Sequence, residues 1–234
     1  QTDANGLKHG SWVKTYEGKK AIKYKGQFKN GTPVGLFTFF YESGRVKAKN
    51  KYFNNGMDSY ATTYHENGKV MSMGKFVNKL KDSVWIYKDQ YNNFISKDTY
   101  VAGLKHGRCI NYYVYNPEID QGPPSLLEVT TYRFGEKEGE ALKYYKSGKV
   151  LSRANYVDGL LEGKFFTYYS NGKKKTVIHY KRGVRNGYTI NYDANEKITS
   201  KQYYRKGFLL EGKKLEGYLA RKKERAKKVK KPKK

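Results

Sequence analysis

The chain has 234 residues, with 48 Lys and Arg against 21 Asp and Glu, a net charge of +27 when histidine is neutral. That balance excludes an ordinary neutral enzyme as the default reading, and no run approaches the roughly 18 apolar residues that a membrane-spanning helix needs. Mean hydropathy is −0.92, which by itself leans towards disorder, yet 24 Tyr, 11 Phe and 2 Trp gather the apolar material into rings and predict a folded, strand-rich chain.

From its first glycines the chain repeats itself. Gly6, Gly31, Gly56, Lys79, Gly103, Gly135, Gly159, Gly183 and Gly207 lie 25, 25, 23, 24, 32, 24, 24 and 24 residues apart and bound eight units. Three residues before each closing anchor stands an aromatic: Phe28, Phe53, Phe76, Tyr100, Tyr132, Tyr156, Tyr180 and Tyr204. Four residues after the opening anchor a second glycine recurs at Gly10, Gly35, Gly107, Gly139, Gly163 and Gly187, while Tyr60 and Ser83 break the pattern. Inside a unit, an aromatic run such as Phe37-Thr38-Phe39 leads to a turn dipeptide and a second alternating run. Ser43-Gly44, Asn67-Gly68, Ser147-Gly148 and Asn171-Gly172 are such turns, so each unit reads as a β-hairpin closed by a glycine link.

A lone hairpin is marginal in water, whereas stacked hairpins share one row of buried rings. The expected fold is therefore all-β: an elongated, twisted antiparallel sheet of about eight hairpin repeats over residues 1–212, followed by a basic, helix-forming tail over 213–234. This pattern resembles the MORN-repeat variant family, the bacterial YwqK-type form, over roughly residues 5–212. The stretch Gly159-Leu160-Leu161-Glu162-Gly163-Lys164-Phe165, then Tyr168-Tyr169-Ser170-Asn171-Gly172-Lys173, Tyr180 and Gly183, carries the resemblance. The resemblance implies a scaffold or interaction module, some of whose relatives are antitoxin-like, and implies no chemistry.

The residues agree that catalysis is not indicated. His9 and His106 occupy the same repeated slot, and His65 and His179 show no metal-ligand spacing. Cys109 is the only cysteine, so no internal disulfide or multi-cysteine metal site exists, and it reads as a small buried side chain. Gly159-x-x-x-Gly163-Lys164 is one residue short of a phosphate loop, with Phe165 where a hydroxyl residue belongs. Glu138, Glu140, Glu162 and Glu211 cluster near glycine links without an apolar setting that would make one of them an acid. No cofactor or metal is expected.

Three features suggest partners. Lys19, Arg45, Lys69, Lys149 and Lys173 follow turn glycines, a row of cations about 10 Å apart along the hairpin tips that an acidic partner would feel. The fifth unit is 32 residues long, and its surplus falls in an acidic, apolar loop around 116–128 holding Glu118, Ile119, Asp120, Leu126, Leu127 and Glu128, the expected protein contact. The tail carries Arg221, Lys222, Lys223, Arg225, Lys227, Lys228, Lys230 and Lys231, a docking arm for an anionic surface. The leading expectation is a non-catalytic adaptor in a larger complex, most plausibly at the cell envelope and outer membrane. The start at Gln1 without a leader suggests export to the periplasm, with a cytoplasmic location as alternative. Two further readings are non-specific nucleic-acid or membrane-surface binding, suggested by runs such as Lys143-Tyr144-Tyr145-Lys146, and toxin neutralisation.

Overall fold

A computed structural model describes residues 1–116, 118–120 and 122–229, with side chains as far as Arg225 in the final helix. It divides into two compact units, residues 1–136 and 137–234. In the first, strands β1 (Gly10–Thr15), β2 (Ile22–Lys29), β3 (Thr32–Phe40), β4 (Val46–Phe53), β5 (Asp58–Tyr64), β6 (Val70–Val77), β7 (Leu80–Lys88) and β8 (Phe94–Val101) pair antiparallel in chain order. β9 (Leu104–Lys105) and β10 (Gly107–Tyr112) continue the meander as one strand broken at His106, and β11 (Leu126–Arg133) pairs with β10. The second unit holds β12 (Glu136–Tyr144), β13 (Val150–Val157), β14 (Leu160–Leu161), β15 (Gly163–Tyr168), β16 (Lys174–Lys181), β17 (Val184–Tyr192), β18 (Ile198–Arg205) and β19 (Phe208–Leu210), paired in the same way, and ends in helix α1 (Gly212–Val229). The expected all-β class of hairpin repeats with a C-terminal helix is what the chain forms.

Two turn types alternate. Asn30-Gly31, Ala102-Gly103, Asp158-Gly159, Arg182-Gly183 and Lys206-Gly207 have positive φ at both residues, the two-residue reversal whose twist matches that of the strands. The glycine links are thus hairpin turns themselves. At the other end, five-residue loops close with positive φ at the fourth position, supplied by Gly44, Gly68, Gly148 and Gly172. Asn92 and Glu196 take that conformation without being glycine. There the loop opens with Asp89 or Asp193, whose Oδ1 accepts two backbone N–H groups, from Tyr91 and Asn93 or from Asn195 and Lys197.

The second glycines mark where pairing slips by one residue. Register shifts lie opposite Gly35, Ser83 and Gly187, and Ser83 adopts φ +59° in place of glycine. In the third repeat β4 pairs with β5 from Ala48↔Thr63 to Phe53↔Asp58 without interruption. Its link, residues 54–57, is four residues long rather than two. Counting back from Gly56 therefore lands one residue late, and a one-residue offset moves a strand side chain to the other face. The ring in the shared row is Tyr52, 5.2 Å from Phe37. Phe53, expected there, lies on the opposite face against Tyr60 at 5.3 Å.

Buried side chains gather mainly on one face. Two residues beyond each bulge lies a slot filled by Trp12, Phe37, Ala61, Trp85 and Cys109 in the first unit and by Ala141, Phe165 and Thr189 in the second. Phe37 and Trp85 are each 3% exposed. Each of these two rings leans over the preceding strand, onto a glycine. A Cβ built on Gly26 would stand 2.5 Å from the Phe37 ring, and one on Gly74 would stand 2.3 Å from Trp85. Large over small is thus written into adjacent strands, the close packing that a single sheet needs to bury rings.

Candidate binding site

The rings of this face are capped by cations. The residue two beyond an opening anchor places its charge over the ring three before the closing one: Lys8 over Phe28 at 4.8 Å, Lys81 over Tyr100 at 5.3 Å, Lys105 over Tyr132 at 5.5 Å, Lys137 over Tyr156 at 5.1 Å and Arg185 over Tyr204 at 5.2 Å. Phe28, Phe76, Tyr100, Tyr132, Tyr156, Tyr180 and Tyr204 are all half-buried. Much of the lysine excess therefore covers aromatic faces, where a cation gains about 0.5–1 kcal/mol at an exposed site.

Side chains also bind each repeat to the next. The hydroxyls of Tyr16, Tyr41, Tyr145 and Tyr169 donate to the carbonyls of Phe40, Tyr64, Tyr168 and Tyr192, each at 2.7 Å, and His65 Nε2 takes the same place on Lys88 O at 2.9 Å. At the opposite turns, carboxylate or amide oxygens of Asp58, Glu138, Glu162 and Asn186 accept from the backbone N–H of Asn78, Asp158, Arg182 and Lys206, 20 residues on. The glutamates near the glycine links thus hold turns. The other histidines have local partners as well: His179 Nδ1 bonds Tyr188 O at 2.8 Å and the His106 ring packs on Phe134 at 4.6 Å.

The cation row at the hairpin tips is not a bare stripe. Lys19 pairs with Glu42 of the next tip, and Arg45 Nη1 donates to the carbonyl of Glu66 at 2.9 Å. Lys69 lies in the same series in the first unit, Lys149 and Lys173 in the second, all three exposed. Interleaved acids make the tips of mixed sign.

The long loop spans residues 113–125, and Leu126, Leu127 and Glu128 are the first residues of β11 rather than part of it, because their alternation pairs Asn111 with Glu128 and Tyr112 with Leu126. Among the described residues of the loop, Asn116 N–H donates to Asp120 Oδ2 at 2.8 Å, Glu118 N–H to Asn116 Oδ1 at 3.0 Å, and Tyr115 hydroxyl to Asp120 O at 3.0 Å. The loop is held by its own bonds and presents Val114, 87% exposed, and Ile119, 74% exposed, beside the exposed Glu118.

Helix α1 packs Tyr218 against Tyr203, 5.6 Å between ring centres, with Arg205 over the Tyr218 ring at 4.7 Å. Tyr203 is 4% exposed, and that burial, with the Tyr218 hydroxyl, pushes its phenol up. Arg221, Lys222, Lys223 and Arg225 are exposed. Lys227 and Lys228 continue the helix, while Lys230 and Lys231 lie outside the described residues. No helix among the described residues is long and apolar enough to cross a membrane.

Beneath the slot of the fifth repeat sits a polar cluster. Lys105 Nζ reaches Asp98 Oδ1 at 3.0 Å, with the carboxylate only 9% exposed. Burial pulls the Lys105 ammonium down, but the hydrogen bond and charge of Asp98 outweigh it and leave its pKa above that of a free lysine. Burial pushes the neighbouring Cys109 thiol up, so it is no thiolate nucleophile at neutral pH. Among the described residues no group of three His, Cys, Asp or Glu is placed to hold a metal ion.

One concavity breaks the ring-bearing face of the first unit. Across β4, β5 and β6 the paired residues are small: Ala48↔Thr63↔Ser72 in one row and Asn50↔Ala61↔Gly74 in the next. They floor a groove of about 500 Å³ flanked by Phe39 on one side and Phe76 and Trp85 on the other, with Lys23, Lys47 and Lys81 in its lining. Thr63 Oγ1 and Ser72 Oγ satisfy each other at 2.7 Å. Nothing in composition or period announced the groove; the signal was alanine in a slot that holds tryptophan or phenylalanine in neighbouring repeats.

With this geometry in view, the comparisons fall into place. The family described as MORN repeat variant matches residues 57–78, 137–158 and 161–182, segments within the third, sixth and seventh repeats. The other repeats share their hairpin pairing. No curated protein matches the chain. Repeats of this kind point to a protein- or membrane-binding repeat protein and are generally non-catalytic.

Proposed function

We propose that this chain, which carries MORN-variant repeats, is a non-catalytic scaffold subunit that engages a larger protein assembly at the cell envelope. The observation that carries the reading is the loop 113–125: it is braced by its own side chains yet leaves Val114 and Ile119 exposed. Ordered, exposed apolar residues beside a carboxylate are what a protein contact uses, and loops on a rigid sheet are where repeat proteins place such contacts.

The experiment exchanges residues 113–125 for the five-residue loop of residues 65–69, which closes an equivalent hairpin, and compares cross-linked partners of both forms in cells. Loss of one stoichiometric partner, with β-sheet circular dichroism retained, supports the reading. Unchanged partners refute the loop's role, and the absence of any partner for the wild-type chain refutes the scaffold. The compartment of the recovered proteins tests the envelope location, and a single toxic partner would assign the antitoxin role instead. A second reading is favoured by the exposed cations of α1: attachment to an anionic surface, measured by sedimentation with phosphatidylglycerol vesicles at two salt concentrations.

A further inference from the structure

The groove of the first unit is a missing ring. In the repeat before it, Phe37 lies over Gly26; in the repeat after it, Trp85 lies over Gly74. The third repeat offers Ala61 in the ring slot, and Asn50 stands where its neighbours have the covered glycine. A ring in the slot of residue 61 would lean over Asn50, as Phe37 and Trp85 lean over their glycines. Its absence opens the space between Phe39 on one side and Phe76 and Trp85 on the other. Ala61 at the floor is 4% exposed, so the site is a formed depression rather than flat sheet. Lys23, Lys47 and Lys81 belong to its lining and no carboxylate does.

We propose that this gap receives an aromatic side chain from a protein partner, carried on a segment rich in Asp or Glu. The shape argument is internal to the molecule, since two rings already fill the same slot in adjacent repeats. The charge argument selects the flanking residues of the occupant, because three cations without a carboxylate favour an acidic segment and repel a basic one. A buried aromatic anchored in a pocket and rimmed by charge is the usual form of an energetic hot spot. Asn50 lies at the floor, its Nδ2 donating to the Tyr52 hydroxyl at 3.4 Å, and gives a tyrosine or indole edge an amide to meet. The proposal rests on the protein-binding reading above and assigns it a second contact, separate from the loop.

The test titrates the full chain with the peptide acetyl-Glu-Glu-Trp-Glu-Glu-amide, reading the Ala61 methyl and Trp85 indole N–H signals by NMR. Shifts centred on Ala61, Thr63 and Trp85, an affinity at least about tenfold above that of the same peptide with Ala for Trp, and loss of that advantage in Ala61→Phe support the proposal. Ala61→Phe supplies the ring that neighbouring repeats carry, so its thermal midpoint is expected at or above that of the wild type. Equal affinity for the two peptides overturns the proposal, as charge alone would then bind. So do shifts confined to the α1 lysines of the wild-type chain, a readout that needs no variant. Tighter binding of phenylacetate than of the peptide overturns the protein source in favour of a free aromatic acid. Wild-type partner capture by Ala61→Phe in cells removes the gap as a contact while the scaffold reading stands; a wild-type chain with no partner removes the scaffold, and the titration still decides the gap.

Discussion

Gly74→Ala puts the packing rule of the sheet under direct strain. The added methyl would lie 2.3 Å from Trp85 Cδ2, so the indole must retreat by about 1 Å to reach ordinary contact. Retreat is hindered, because Trp85 Nε1 donates to Lys75 O at 3.1 Å and the ring meets Phe76 edge-on at 4.8 Å. Overpacking of this kind costs about 1–3 kcal/mol, and alanine recovers roughly 0.5–1 kcal/mol over glycine in a strand, for a net loss of about 1–2 kcal/mol. Trp85→Ala alone should cost about 3–5 kcal/mol by cavity formation. In that background the Gly74→Ala change meets open space and should be neutral or stabilising by up to about 1 kcal/mol. The two substitutions thus couple by about 2 kcal/mol, in the direction that makes the pair less harmful than the sum. Urea unfolding followed by far-UV circular dichroism measures all four proteins, with a slope of about 2 kcal/mol/M giving midpoint shifts of roughly 0.5–1 M for Gly74→Ala. Additive losses would refute the claim that the ring rests on the glycine.

Three further outcomes follow from single sites. Glu196 holds φ +66°, where a side chain costs about 1–2 kcal/mol, so Glu196→Gly should stabilise by up to about 1 kcal/mol after glycine's own entropy is counted; a lower thermal midpoint contradicts this. Tyr145→Phe deletes the bond to Tyr168 O at 2.7 Å and should cost about 0.5–1.5 kcal/mol by the same urea assay, with no change in strand content. Cys109, 3% exposed and with its thiol pushed up by burial, should react with dithionitrobenzoate only as fast as the fold opens, and immediately in guanidinium; prompt native labelling would show the site to be open.

The period of the chain was legible because its markers are local. A glycine with positive φ and a ring three residues before it belong to one turn, and both are visible without knowing what lies beside them. Contacts between repeats are not visible in that way. The Tyr16–Phe40 and Glu162–Arg182 bonds join residues 24 and 20 apart, and only stacked hairpins bring those groups together. Phe53 was placed on the wrong face because a four-residue link reads like a two-residue one when counted from its glycine. The loops at 89–93 and 193–197 lack glycine, and their sign was the leading aspartate. The tip lysines read as a stripe because the acids that interleave with them, Glu42 above all, come from the neighbouring hairpin. Of the two candidate contacts, the inserted loop announced itself by length. The groove did not, since an alanine among aromatics is legible only once the slot is known to be shared.

The bond from each tyrosine at a hairpin tip to the carbonyl of the following tip runs one way and keeps one offset, as Tyr145 to Tyr168 and Tyr169 to Tyr192 show. Excising residues 145–168 whole would bring Tyr169 directly after Tyr144, set Tyr180 opposite Gly139 where Tyr156 now pairs, and leave no bond of this series without its acceptor. Such a chain can be lengthened or shortened by complete modules, as a ruler is cut at its marks, while a deletion of any other size would sever the stitching at both neighbours.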